Sequence, residues 1–184
     1  MSKNSAQGTL FLSAALFLCA VSITSPAYAG TFRSDNPGVE FQSPVGWEIS
    51  ESGGPGYAIF ILPGAKEARS TQGVGFQIYK RKSWFGPELP SGPSGAGDFF
   101  RAMMAEYKAV YTPISEQETT LGGFPAKEII YTNTLTSVSG IVRHKQIYVF
   151  VNGSMFDIRF SALETVFERY WDEFKIVFDT LKFL

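Results

Sequence analysis

Apolar and polar residues along the chain follow two rhythms. The first has a period of two. Val39-Glu40-Phe41-Gln42 and Trp47-Glu48-Ile49-Ser50 alternate, the pattern of strands with one face in a core. Ser43-Pro44-Val45-Gly46 forms the turn between them. Tyr57 to Leu62 is a continuous apolar run, bounded by Gly53-Gly54-Pro55-Gly56 and Pro63-Gly64. Gly73 to Lys82 predicts a further strand, with Val74, Phe76, Ile78 and Lys80 on one face. Ile114–Leu121 and Pro125–Asn133 flank Gly122-Gly123. Ile141–Val151 and Met155–Phe160 flank Asn152-Gly153, with Ile147, Val149 and Val151 on one face. Both dipeptides are hairpin signals, because they tolerate the positive φ of a tight turn. Asn152-Gly153-Ser154 also spells a glycosylation sequon, but the turn accounts for the same residues.

The second rhythm is helical. Asp98 suits an N-cap, its carboxylate accepting from the first unpaired N–H groups of a helix from about Phe99 to Val110. Phe99, Met103, Tyr107 and Val110 fall at helical spacing there. Near the C-terminus Leu163, Val166, Phe167, Tyr170, Phe174, Val177, Phe178 and Leu181 form the clearest amphipathic stripe in the chain. Ser161 and Glu164 predict a capping box at its start. Two helices with apolar stripes must bury them on a sheet. The expected class is therefore α+β: a sandwich of two main helices on a central, mostly antiparallel sheet of about six to eight strands.

The first 29 residues read differently. Lys3 is followed by an apolar run from Leu10 to Ile23, then Pro26 and Ala27-Tyr28-Ala29. This is the order of a secretory signal, with cleavage after Ala29. The run, about 14 residues, is short of the roughly 20 that span a bilayer. Cys19, the one cysteine, lies within that run behind Leu18, which does not suit a lipoprotein acceptor. The expected organisation is a signal over 1–29 and one domain over 30–184, placed in the periplasm or outside the cell. The mature chain then has no thiol, no disulfide and no transmembrane segment.

Composition narrows the function. Removing Lys3 moves the net charge from −1 to −2, and like charges form no block. That opposes sequence-independent nucleic-acid binding, which needs a basic patch to displace counterions. Catalytic and metal chemistry are sparse. His144, the one histidine, stands between Arg143 and Lys145 and reads as a solvent-facing strand residue. One histidine without cysteine makes no usual zinc site, and no Asp/Asn spacing fits a calcium loop. Gly92-Pro93-Ser94-Gly95-Ala96-Gly97 lacks the Lys-Ser/Thr of a phosphate loop. Glu164 and Glu168 stand one turn apart, but the capping box already uses Glu164. No catalytic residue, cofactor or metal ligand is therefore assigned. Residues 83–97 form a Gly/Pro-rich loop, and such loops in compact domains are usually functional or disordered. Trp84 and Phe85 beside it are the candidate partner-binding residues, since large aromatics anchor interfaces. They could equally fold back over a sheet edge.

Three stretches carry a family resemblance: Phe41-Gln42-Ser43-Pro44-Val45-Gly46-Trp47, Leu121-Gly122-Gly123-Phe124-Pro125-Ala126-Lys127, and Asp157-Ile158-Arg159-Phe160-Ser161-Ala162 leading to Phe174 and Phe178. They resemble the opening strand and turn, central hairpin and closing strand–helix of the PsbP-like superfamily. That group includes DcrB-like periplasmic proteins. The resemblance implies an α/β/α sandwich. It also implies a non-catalytic accessory role: binding a protein partner or assembling a larger complex, often at a membrane surface. It transfers no site residue, and the 83–97 loop has no counterpart in it. Two other readings stand beside this one: a small-ligand or lipid carrier using the aromatic sheet face, and an enzyme whose carboxylate site is not visible in sequence.

Overall fold

The computed structural model describes residues 28–52, 56–81, 100, 111, 113–135 and 138–184. The signal up to Ala27, the loop carrying Trp84 and Phe85, and the predicted helix from Phe99 to Val110 (Phe100 excepted) lie outside the described residues.

The elements are β1 Tyr28–Ser34, β2 Val39–Pro44, β3 Trp47–Ser52, β4 Tyr57–Pro63, α1 Lys66–Ser70, β5 Gly75–Arg81, β6 Pro113–Leu121, β7 Phe124–Thr134, β8 Ile141–Val151, β9 Ser154–Leu163, α2 Phe167–Thr180 and β10 Lys182–Phe183. Seven strands form the main sheet in the order β3-β4-β5-β9-β8-β7-β6; β1, β2 and β10 form a small second sheet. All described pairs are antiparallel. This is the α+β sandwich the two rhythms predict, with the main sheet inside the expected strand count. The small sheet and α1 were not expected. β1 and β10 carry too little alternation to announce themselves, and β10 has two residues.

The hairpin turns behave as their residues require. Asn152 and Gly153 both have positive φ, 47° and 78°. That geometry matches the right-handed twist of the flanking strands. It sets the register of β8 on β9, from Val151 opposite Ser154 to Val142 opposite Leu163.

The helix start departs from expectation. β9 continues through Leu163, so Ser161 is a strand residue and forms no capping box. α2 begins at Phe167 behind Val166, with no side-chain cap. Ladder pairing with Ala162 and Leu163 outcompetes the local cap: Glu164 N–H instead reaches Ile141 O at 2.9 Å. Glu164 therefore lies in the turn, and Glu168 pairs with Arg143 at 3.0 Å rather than with Glu164.

α2 presents Phe167, Tyr170, Phe174, Val177 and Phe178 to one face of the sheet. Phe174, fully buried, lies 4.1 Å from Phe76, 5.1 Å from Trp47 and 5.5 Å from Phe160, ring centre to ring centre. Stacked, tilted and edge-on aromatic contacts of this kind add to the area they bury. β2 lies along the same helix: Thr180 Oγ1 accepts from Gln42 N at 2.9 Å. Phe183 meets Phe156 and Phe124 at 4.8 and 5.7 Å, fastening β10 over the end of the sheet.

Phe174→Ala removes the ring shared by three strands. The expected loss is about 3–5 kcal/mol. Urea unfolding followed by circular dichroism should show a lower midpoint at an unchanged slope.

Candidate functional site

Strand alternation sends neighbouring residues to opposite faces. In β8, Ile147 and Val149 join the core under α2, whereas Val142, His144, Gln146 and Tyr148 point the other way and are also buried. β9 does the same: Phe156, Ile158 and Phe160 face the helix, and Asp157, Arg159 and Ser161 face away. The two strands at the middle of the sheet thus carry a polar array on the face remote from α2. Tyr131 and Asn133 of β7 and Gln77 of β5 extend it.

His144 corrects the expectation of a solvent-facing residue: it is 3% exposed. Arg143 and Lys145, one residue away, project from the opposite face, where they meet Phe167 and Trp171 of α2 at 4.8 and 4.4 Å. The imidazole stacks on Tyr131 with centres 4.6 Å apart and planes 17° from parallel. Its Nε2 is 2.8 Å from Asn133 Oδ1, and its Nδ1 is 2.7 Å from Ser161 Oγ. Asn133 Oδ1 can only accept, so the proton sits on Nε2 and Nδ1 accepts from the Ser161 hydroxyl. Burial first, and the Arg159 charge second, pull the His144 pKa down from 6.5 to about 4.

A second chain runs beside it. Tyr131 Oη donates to Gln146 Oε1 at 3.1 Å, and Gln146 Nε2 donates to Asp157 Oδ1 at 2.7 Å. Arg159 Nη2 donates to Gln77 Oε1 at 3.2 Å. Burial opposes the Arg159 charge, but Tyr131, Asp157 and Tyr148 hold its pKa above the ordinary value. A shallow cleft of about 140 Å³ opens next to these groups, lined by Phe60, Leu62, Gly75, Gln77, Arg159 and Ser161. Gly75 lies directly opposite Ser161 in the ladder, and a Cβ there would come within 3.2 Å of Leu62 Cδ2.

Ser161, His144 and Asn133 have the residue types of a nucleophile relay, but the arrangement works against one. A base must become imidazolium as it takes the hydroxyl proton. Here the Arg159 charge and burial both oppose that cation, and the orienting group is a neutral amide rather than a carboxylate. A base near pKa 4 is also far from the range that suits proton transfer at neutral pH. The array is a set of closed hydrogen bonds, which is what a polar group needs when it is buried.

A second cleft of about 300 Å³ lies between the small sheet and the end of α2, lined by Thr31, Glu40, Gln42, Asp179, Thr180 and Lys182. Two of its charges, Glu40 and Lys182, are paired with each other. The hydrogen bond and charge of Lys182, 2.9 Å away, hold Glu40 below the usual carboxylate range, with Arg33 adding to the effect. No group of three or more metal-ligating side chains occurs among the described residues. No helix among them is long and apolar enough to cross a membrane.

Sequence reasoning missed Gln146, Asp157 and Arg159. The signal was available: counting back from the Asn152-Gly153 turn places Tyr148 opposite Asp157 and Gln146 opposite Arg159. The missing premise was that β8 and β9, being central, are covered on both faces.

No protein-family model and no curated protein sequence matches the chain. Solved structures do. The solution structure of cyanobacterial PsbP from Synechocystis aligns with a TM-score of 0.53 and 13% identity, over 91% of this chain and 99% of that one. A crystal structure from Bacteroides thetaiotaomicron aligns with a TM-score of 0.54 and 14% identity over 84% of this chain, which spans 48% of that one. LpqN of Mycobacterium tuberculosis, a protein involved in cell envelope biogenesis, aligns with a TM-score of 0.45 and 11% identity, over 83% of this chain and 88% of that one. The likeness is one of fold: the chain has the PsbP-like fold that the three sequence stretches implied.

The depressed His144 pKa makes stability acid-sensitive. An unfolded chain binds the histidine proton near pH 6.5 and the folded one only near pH 4. Stability is therefore full above about 6.5 and falls as pH drops toward 4, by roughly 3 kcal/mol at most. His144→Gln should be less stable at pH 7 but should lose that share of the pH slope. Urea midpoints of both proteins from pH 7.5 to 4.5 check this.

Proposed function

We propose that this PsbP-like domain is an exported, non-catalytic accessory module that binds a protein partner or helps assemble a larger complex. The observation that carries this reading is the closed polar array. The one histidine of the chain is neutral, stacked on Tyr131 and bonded at both nitrogens. The carboxylate and guanidinium beside it also have protein partners. The groups most suited to chemistry are thus committed to holding β7, β8 and β9 together. Further support is the likeness of fold to the Synechocystis PsbP along nearly the whole of both chains. The role is the one the family resemblance implies.

Export fits the N-terminal sequence. Cleavage after Ala29 keeps the ladder pairs of β1 from Gly30, opposite Ser43, to Ser34, opposite Val39. Partner contact is assigned to Trp84 and Phe85 in the Gly/Pro-rich loop.

Affinity purification from the native cell envelope tests both parts. The recovered chain should begin at Gly30 and bring a partner in constant ratio. Trp84→Ala with Phe85→Ala should lower that recovery by tenfold or more, the size of a lost aromatic anchor, with an unchanged circular dichroism spectrum. Unchanged recovery would remove the loop from the interface. Turnover of a substrate that stops on a single substitution would overturn the non-catalytic reading.

A further inference from the structure

β6 closes one side of the main sheet and pairs with β7 alone among the described strands. Its ladder is regular from Ser115 to Leu121, with the one irregularity confined to Pro113–Ser115. An edge of this kind offers unpaired N–H and C=O groups to another chain, and proteins usually blunt it with proline, lysine or a bulge. In β6 the proline and the irregularity both sit at the first residues. The rest holds no proline, lysine or arginine, and residues 114–118 and 120 are exposed.

The side chains along this edge are sorted by chemistry. Ser115, Gln117 and Thr119 lie on one face and are short or uncharged. Glu116 and Glu118 lie on the other. Lys127, directly opposite Glu118, gives its ammonium to Glu116 at 2.8 Å. Glu118 therefore has no ionic partner among the described residues. Ile114, 56% exposed, stands at the start of the edge. A second copy pairing antiparallel about Gln117 would set Glu116 against Glu118 on both sides of the centre. Directly opposed like charges destabilise such a ladder.

We propose that β6 is a docking edge for an extended, basic segment of a partner protein, which adds to the main sheet as a further strand. Backbone hydrogen bonds supply the affinity, as in other strand additions. Lys or Arg at alternate positions of the incoming segment faces Glu118 and Glu116, and small polar residues face Ser115, Gln117 and Thr119. The acidic face rejects a second copy of this chain and selects a cation-bearing strand. This deepens the binding role proposed above and rests on it.

Hydrogen exchange of the mature protein with a synthetic peptide of alternating Lys and Thr tests it. Half the amides of an edge strand point outward, and strand addition should slow their exchange in 115–121 and nowhere else. Glu118→Lys, a substitution at an exposed position, should weaken peptide binding about tenfold and abolish the protection. The same peptide with Glu for Lys should give none. Protection by the Glu peptide, or Lys-peptide binding without protection of β6, overturns the proposal. So does concentration-dependent protection of β6 without peptide, which would give the edge to a second copy. Native partner recovery separates the two readings. A partner held equally well by Glu118→Lys keeps the binding role and removes β6 from it; the absence of any partner removes the role itself.

Discussion

A strand cannot hide one residue without turning the next to the opposite side, and the two central strands of this sheet are covered on both sides. β8 and β9 must therefore satisfy two environments at once. On the α2 side they present Ile147, Val149, Ile158 and Phe160 to an aromatic cluster around Phe174. On the other they present His144, Gln146, Asp157, Arg159 and Ser161, and each of these has a hydrogen-bonded partner. Apolar burial fixes the helix on the sheet. Hydrogen bonding makes the second buried face tolerable, since an unpaired polar atom there would cost about as much as a large core residue contributes.

The electrostatics follow from that geometry. Arg159 and Asp157 share one face, two residues apart, and their charges are spread over Tyr131, Gln146 and Gln77. His144 sits next to this cation and is kept neutral. Arg143 and Lys145, adjacent in sequence, lie on the α2 side over Phe167 and Trp171. Cations on these two adjacent strands thus serve two unrelated purposes. The groups with reactive potential are inside and bonded, and the edge strand with spare backbone groups is outside.

Much of the fold was legible in the chain. The hairpins at Gly122-Gly123 and Asn152-Gly153 set strand pairing, and the Phe174–Phe178 stripe located α2. The helix start was not legible, because Ser161 and Glu164 satisfy a local capping rule while the ladder with β8 claims the same residues. The small sheet was hidden for a similar reason: β10 has two residues and is held by long-range contacts, its ladder with β2 and the packing of Phe183 on Phe124 and Phe156. His144 was misplaced because its sequence neighbours were treated as spatial neighbours, which a strand forbids. The polar array needed one fact that periodicity does not carry, namely that both faces of the central strands are covered.

Nitrogen-15 NMR of the His144 ring reports the state of the buried polar face from inside it. The ring should be a neutral imidazole at pH 5.5, protonated at Nε2, with Nδ1 accepting a hydrogen bond. A ring that is cationic at that pH, or one that carries its proton on Nδ1, would contradict that state.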